Sequence, residues 1–291
     1  MNRTAYVLVT PARNEEATVE TTIQSVLAQT ILPQEWIIVS DGSTDRTDQI
    51  VERYTSKHPF ISLLRLNNRG TRSFASVVFA TEAGYKALET RDYDYIGLLD
   101  ADVRFKPDYF ASLIQRFEAN PRLGLAGGLV PDVINGKVIP SPPQNLKEIA
   151  GATQFFRRSC FESLGGLMPI PEGGWDAITS VQARRNGYET QTFPDLIVEH
   201  LKFRCGSEGH ALRRRWQMGV RDYALGNDPV FQCFKCAFRG WEPPFLIGSL
   251  TRLCGYAWCV LSRRARYLSP DLVAIIRAEQ RARLFSWKKT E

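Results

Sequence analysis

The chain reads as an α/β protein with a mostly parallel sheet covered by helices, followed by a basic helical C-terminal extension. Three observations predict this. Short β-rich apolar runs alternate with helical patterns at short loop spacing through the first 130 residues. Polar clusters recur directly after those apolar runs. From residue 200 onward the charge balance reverses, with 17 lysines and arginines against 7 acids, where the rest of the chain holds 20 against 24. At 291 residues the chain is long for one core and short for two full domains, so one large domain with an appended tail is expected.

Taken in order, Ala5–Val9 is a β-rich run ended by Thr10-Pro11, and Asn14 is expected to cap a helix whose Ala17, Ile23, Val26 and Leu27 share a face. Trp36–Val39 predicts a second strand, and Ser40–Asp45 a tight turn that caps the next helix, with Ile50, Val51 and Tyr54 inward. Ile61–Leu66 predicts a third strand, Asn67–Gly70 its loop and Phe74–Leu88 a helix. Tyr95–Leu99 is a buried-strand pattern running into Asp100-Ala101-Asp102. Pro107 opens a helix that stops at Asn120-Pro121, and Leu123–Val130 is a further strand.

Ligands of parallel sheets bind outside the carboxyl ends of the strands. Four polar clusters fall at those ends: Thr10–Arg13, Asp41–Ser43, Asn67–Arg72 and Asp100–Asp102. Asp100 and Asp102, two residues apart, converge on one cation if strand geometry persists through the turn. Hard oxygen ligands beside an open crevice suit Mg²⁺ or Mn²⁺ shared with substrate phosphates. The loops lack both the Gly-X-Gly-X-X-Gly and the Gly-X4-Gly-Lys-Ser/Thr phosphate fingerprints. A cation on the aspartates, helped by Arg69 or Arg72, suffices to hold a pyrophosphate.

Thr10-Pro11-Ala12-Arg13-Asn14-Glu15-Glu16, then Val39-Ser40-Asp41-Gly42-Ser43-Thr44-Asp45, then Leu99-Asp100-Ala101-Asp102 resembles the nucleotide-sugar half of a family-2 glycosyltransferase of the GT-A fold. The resemblance implies a nucleotide-sugar-binding half at 1–130, an acceptor-binding half of the same domain at 131–205 and the extension at 206–291. It implies Asp102 on the cation, Asp100 toward the sugar or ribose and Asp41 on the nucleobase edge. Pro11, Arg13 and Glu15 would complete the nucleoside pocket. Surface solvation is the other reading of Arg13, and pairing with the helix dipole that of Glu15.

Where the family carries an acidic pair, this chain has Trp175-Asp176, so only the second carboxylate is present. The resemblance makes Asp176 the general base on the acceptor hydroxyl, the alternative being a helix cap. Trp175 offers a flat face that can stack on an acceptor sugar. Of three histidines, His200 lies about where the family often places another metal or diphosphate contact; His210 competes, and His58 is read as surface. Cys233-Phe234-Lys235-Cys236 lacks a second pair and is read as reduced thiols rather than zinc ligands.

Phe245–Ser262 is apolar but interrupted by Arg252 and Gly255, marginal for a spanning helix, and Arg263-Arg264-Ala265-Arg266 follows. The segment is read as buried, interfacial or membrane-inserted, with peripheral membrane contact through 243–266 expected. The closing helix, 271–285, is amphipathic. No signal peptide is read at the N-terminus, and cysteine usage fits a reducing cytoplasm, placing the chain in the cytoplasm or on the inner membrane face. The expected function is metal-dependent inverting transfer of a sugar from a nucleotide-diphosphate sugar to a glycan or lipid-linked acceptor, in polysaccharide or cell-envelope biosynthesis. A non-catalytic nucleotide- or glycan-binding module and a sugar-nucleotide nucleotidyltransferase are the alternatives. Nucleic acid is not an expected partner, since no recognised module accompanies the basic tail.

Overall fold

A computed structural model describes residues 5–67, 74–134, 137–139, 145–202 and 211–286. Arg69, Arg72, Cys205 and His210 lie outside the described residues. Two compact units result: Met1–Pro169 with Trp175–Arg204, and Ile170–Gly174 with Cys205–Glu291.

The first unit runs β1 (Tyr6–Ala12), α1 (Val19–Leu27), β2 (Glu35–Asp41), α2 (Thr47–Thr55), β3 (Ile61–Leu66), α3 (Phe74–Ala87), β4 (Tyr95–Leu99), β5 (Val103–Phe105), α4 (Tyr109–Ala119) and β6 (Leu123–Leu129). A small hairpin follows, β7 (Asp132–Ile134) with β8 (Lys137–Ile139), then β9 (Thr153–Arg157), α5 (Arg158–Ser163), α6 (Trp175–Arg185) and β10 (Glu189–His200). The main sheet has the order β3-β2-β1-β4-β9-β6-β10-β5. Strands β1 to β4 pair in parallel, so their carboxyl ends share one edge.

Alternating side chains feed two apolar layers. Tyr6 and Leu8 of β1 join Trp36, Ile38, Tyr95 and Phe155 on one face, covered by Ile23 of α1 and Leu113 of α4. Val7 and Val9 join Ile37, Val39, Ile96 and Phe156 on the other, covered by Val78 of α3 and Cys160 of α5. Gly84 lets α3 sit directly on the sheet: a Cβ there would lie 2.6 Å from Val9 Cγ1 and 2.7 Å from Val39 Cγ2.

Thr153–Arg157 supplies a strand that the local sequence does not mark: β9, antiparallel to both β4 and β6 at the centre of the sheet. Its consecutive Phe155 and Phe156 are both buried because they fill opposite layers. Asn14 does not cap α1. Its φ of 56° turns the chain sharply, and α1 starts at Val19.

The second unit holds α7 (Ala211–Ala224), α8 (Pro229–Phe238), a 3-10 turn at Arg239–Trp241, α9 (Ile247–Leu261) and α10 (Pro270–Ser286). Asp228 caps α8 by accepting from the amides of Val230 and Phe231. Helices α7 and α9 pack backbone to backbone at Gly219 and Gly255. Tyr223, Tyr256 and Cys259 form their small apolar core. No helix among the described residues is long and apolar enough to cross a membrane.

Candidate active site

The site is built at the carboxyl edge of the parallel strands. The turn after β1 and the turn after β2 are stitched together by polar contacts. Asn14 N–H donates to Ser43 Oγ at 3.2 Å, and Asn14 Oδ1 accepts from Thr44 N–H at 2.8 Å. Asp45 accepts from the Glu16 amide at 3.0 Å and from both the amide and the hydroxyl of Thr47. Burial acts to raise the Asp45 pKa, but those hydrogen bonds outweigh it and hold the carboxyl below its ordinary value. The stitching brings Arg13 Nη1 to 3.7 Å from Asp41 Oδ2, with Asp41 buried at the end of β2. Pro11 lies half-buried near the end of β1, paired with Val39.

Glu15 is also buried. Its carboxylate accepts from Thr18 Oγ1 at 2.7 Å and forms an ion pair with Lys202 Nζ. Lys202 follows β10 directly, and nothing in its local sequence separates it from an ordinary surface lysine. The contact joins positions 187 residues apart. It anchors the segment after β10 onto the loop after β1.

That anchoring positions the third cluster. Leu201 N–H donates to Asp102 O at 2.7 Å, so the end of β10 is tied to the Asp100–Asp102 turn. Asp100, Asp102 and His200 offer ligand atoms that all lie within 4.8 Å of one another. His200 Nε2 stands 3.5 Å from Asp102 Oδ1, while its Nδ1 faces Lys202 O at 3.2 Å. A proton on Nδ1, donated to that carbonyl, leaves the Nε2 lone pair toward the aspartates. Outer partners of this kind orient metal-binding imidazoles. Two carboxylates and one imidazole nitrogen, with Asp102 buried, form a donor set that fits a divalent cation such as Mn²⁺ or Mg²⁺.

Asp176 lies in the first turn of α6, partly buried, and its Oδ2 accepts from Gly151 N–H at 3.1 Å. The next residue, Ala152, accepts from Asp100 N–H at 3.1 Å. Two consecutive residues, 151 and 152, therefore bridge Asp176 to the cation cluster. Gln154 Nε2 and Ser180 Oγ both donate to Asp176 O, holding the helix start in place. Trp175 does not offer the exposed face expected of it. It is buried in the sheet's second apolar layer, and a Cβ at Gly151 would lie 3.0 Å from its Cζ2. Packing has used the ring that a sugar would need.

Cys233 and Cys236 are free thiols on α8, and Cys236 is buried with Gln232 Nε2 3.5 Å from its sulfur.

Comparison with known proteins agrees with this geometry. The chain is 25% identical over 221 residues to the poly-β-1,6-N-acetyl-D-glucosamine synthase of Staphylococcus aureus strain COL, covering 76% of this chain and 47% of that protein. The Staphylococcus epidermidis enzyme of the same name is 26% identical over the same lengths. The chain thus spans about half the length of the curated relatives it matches. Among solved structures, the mannosyltransferase PcManGT of Pyrobaculum calidifontis, in complex with GDP-Man and Mn²⁺, superposes with a TM-score of 0.58 at 18% identity, covering 98% of this chain and 81% of that one. A fragment of S. aureus TarS in complex with UDP-GlcNAc gives 0.54 at 17% identity, covering 74% and 65%. These likenesses show a GT-A fold. Residues 7–160, more than half of the chain and carrying both the strand-end clusters and the aspartate pair, match the description of glycosyl transferase family 2, and the chain belongs to that family.

Proposed function

We propose that the protein is an inverting glycosyltransferase that moves a sugar from a nucleotide-diphosphate sugar to a hydroxyl of a glycan or lipid-linked acceptor in cell-envelope polysaccharide synthesis. The observation that carries this reading is the bridge from the Asp100–Asp102–His200 cluster through Gly151 and Ala152 to Asp176. It supports the reading by tying Asp176 to the turn that carries Asp100 and Asp102 through two consecutive backbone groups. Asp102 and His200 would hold Mg²⁺ or Mn²⁺, and such a cation offsets charge on a departing nucleotide diphosphate.

The remaining roles belong to the chain itself. Arg13 and Asp41 present paired donor and acceptor groups for the nucleoside, beside Pro11. Glu15, already engaged by Lys202, shapes that pocket rather than reading the base. Asp100 faces the sugar. Asp176, in the first turn of α6 and held by the Gly151 amide, accepts the proton of the attacking hydroxyl. No second nucleophilic carboxylate is needed for single displacement, which inverts the anomeric centre. The same reading places the protein on the cytoplasmic face of a membrane, in peripheral contact through 243–266.

The test is nucleotide release from a panel that includes UDP-GlcNAc and GDP-mannose, with Mn²⁺ or Mg²⁺ present. Cation-dependent turnover that is lost in Asp102→Ala is expected. Failure of every donor to bind or turn over with either cation would overturn the proposal.

A further inference from the structure

Helices α8 and α9 of the second unit carry their polarity inside out. Every exposed position of α8 is apolar or a thiol: Pro229, Val230, Cys233, Phe234, Ala237 and Phe238. The same holds for α9, where Ile247, Leu250, Trp258 and Leu261 follow helical spacing at 59%, 61%, 61% and 80% exposure. The charged side chains of these helices point the other way. Arg252 of α9 donates to Asp222 of α7 through Nε at 2.6 Å and Nη2 at 3.0 Å. From α8, Lys235 Nζ and Gln232 Nε2 each reach the same carboxylate at 3.0 Å. A helix pair facing water shows the reverse pattern. Ionic groups turned inward and an apolar exterior suit a lipid environment.

Helix α9 has 15 residues, roughly 22 Å at 1.5 Å per residue, against about 30 Å for a hydrocarbon core. It is too short to span, so an apolar face of this kind lies along a single leaflet.

Directly beyond α9 lies a cavity of about 580 Å³ lined by Arg264, Arg266, Arg277 and Arg281 over Tyr223 and Val273, with no acidic side chain in its lining. Arg264 is paired with Glu172 and Arg281 with Asp228. Arg266 and Arg277 instead give their Nε protons to the carbonyls of Tyr223 and Gly226, at 3.3 and 3.2 Å. Among the described residues no carboxylate stands within ion-pair distance of either. Two guanidinium groups without a countercharge, in a cavity with an apolar floor, match a phosphate group carried on a hydrophobic body.

We propose that the second unit docks on an anionic phospholipid surface, with the α8–α9 face seated in one leaflet and the arginine cavity holding a lipid phosphate. This rests on and deepens the peripheral contact proposed above for 243–266, and it is independent of the sugar-transfer chemistry. The cavity selects the occupant: an apolar face alone would accept a second copy or another protein, whereas the adjoining uncompensated arginines call for phosphate.

The experiment is flotation of the full chain with vesicles of phosphatidylcholine alone or with phosphatidic acid added. Inorganic pyrophosphate serves as a soluble competitor. Wild type should float with the anionic vesicles. Leu250→Glu with Trp258→Glu should abolish flotation. Arg266→Gln with Arg277→Gln should weaken it roughly 30-fold on anionic vesicles, from the usual contribution of two arginines at a lipid surface. All four positions are outside the Asp222 network, and unchanged thermal unfolding of the variants confirms that folding is intact. Flotation that is equal on both vesicle types, or insensitive to the arginine pair, would overturn the proposal. So would pyrophosphate binding without flotation, which marks a soluble ligand, or a dimer dispersed by the Glu pair without flotation, which marks a second copy.

Discussion

Asp176→Asn separates catalysis from helix capping, because it removes the negative charge and the proton-accepting group while keeping the shape and a hydrogen-bond acceptor. In the structure Asp176 Oδ2 accepts one amide proton, from Gly151, and asparagine Oδ1 can take its place. Asparagine and aspartate are close equivalents at helix N-termini. The stability lost is then mainly that of a charge at the amino end of α6, about 0.3–1 kcal/mol. A domain stable by several kcal/mol stays almost wholly folded after such a loss. Removing a general base lowers the chemical step by about 10²–10⁴, or about 3–5 kcal/mol of barrier. The two magnitudes do not overlap. Thermal unfolding should therefore move by a few degrees at most, while nucleotide release from a competent donor falls at least a hundredfold with donor affinity unchanged. Turnover within threefold of wild type would refute the assignment and leave Asp176 as a cap.

Three further outcomes are expected. His200→Ala removes the one nitrogen donor from the cluster and should weaken Mn²⁺ binding by at least about tenfold, the lower bound seen even for outer partners; unchanged affinity in a Mn²⁺ titration would exclude His200 as a ligand. Gly219→Ala puts a Cβ 1.9 Å from Arg252 O and 2.8 Å from Tyr256 N, so α7 and α9 must move apart. Chemical denaturation should show a loss at or above the roughly 1–3 kcal/mol typical of overpacking, and an unchanged midpoint would contradict the contact. At Asp222, burial acts to raise the pKa, but Lys235 and Arg252 outweigh it and hold the carboxyl well below its ordinary 3.8. Its stabilisation is complete above that value and fades as pH falls beneath it. Melting of the second unit should therefore weaken with acid from about pH 4 downward, and Asp222→Asn should flatten that part of the profile. An unaltered acid slope in the variant would count against the network.

The parallel half of the sheet was legible because each buried strand is a short apolar run and each carboxyl end is polar. Those two signals are local, and β1 to β4 arise where they predict. Strand β9 was hidden because both faces of a central strand are buried. Phe155 and Phe156 then carry no alternation to distinguish strand from helix. Lys202 was hidden for a different reason: its partner Glu15 is reached only after β10 has crossed the sheet edge. Trp175 misled because an aromatic beside an acid suggests a sugar platform, while its burial depends on Gly151 packing close enough to cover it. Gly151 is thus the residue on which local and long-range information meet. Its amide fixes Asp176, its missing side chain admits Trp175, and its neighbour Ala152 holds the Asp100 amide. A larger residue at 151 would have to displace Trp175 or Asp176. Asp176 and the Asp100–Asp102 turn are therefore held in register by one short backbone segment that no polar motif in the sequence marks.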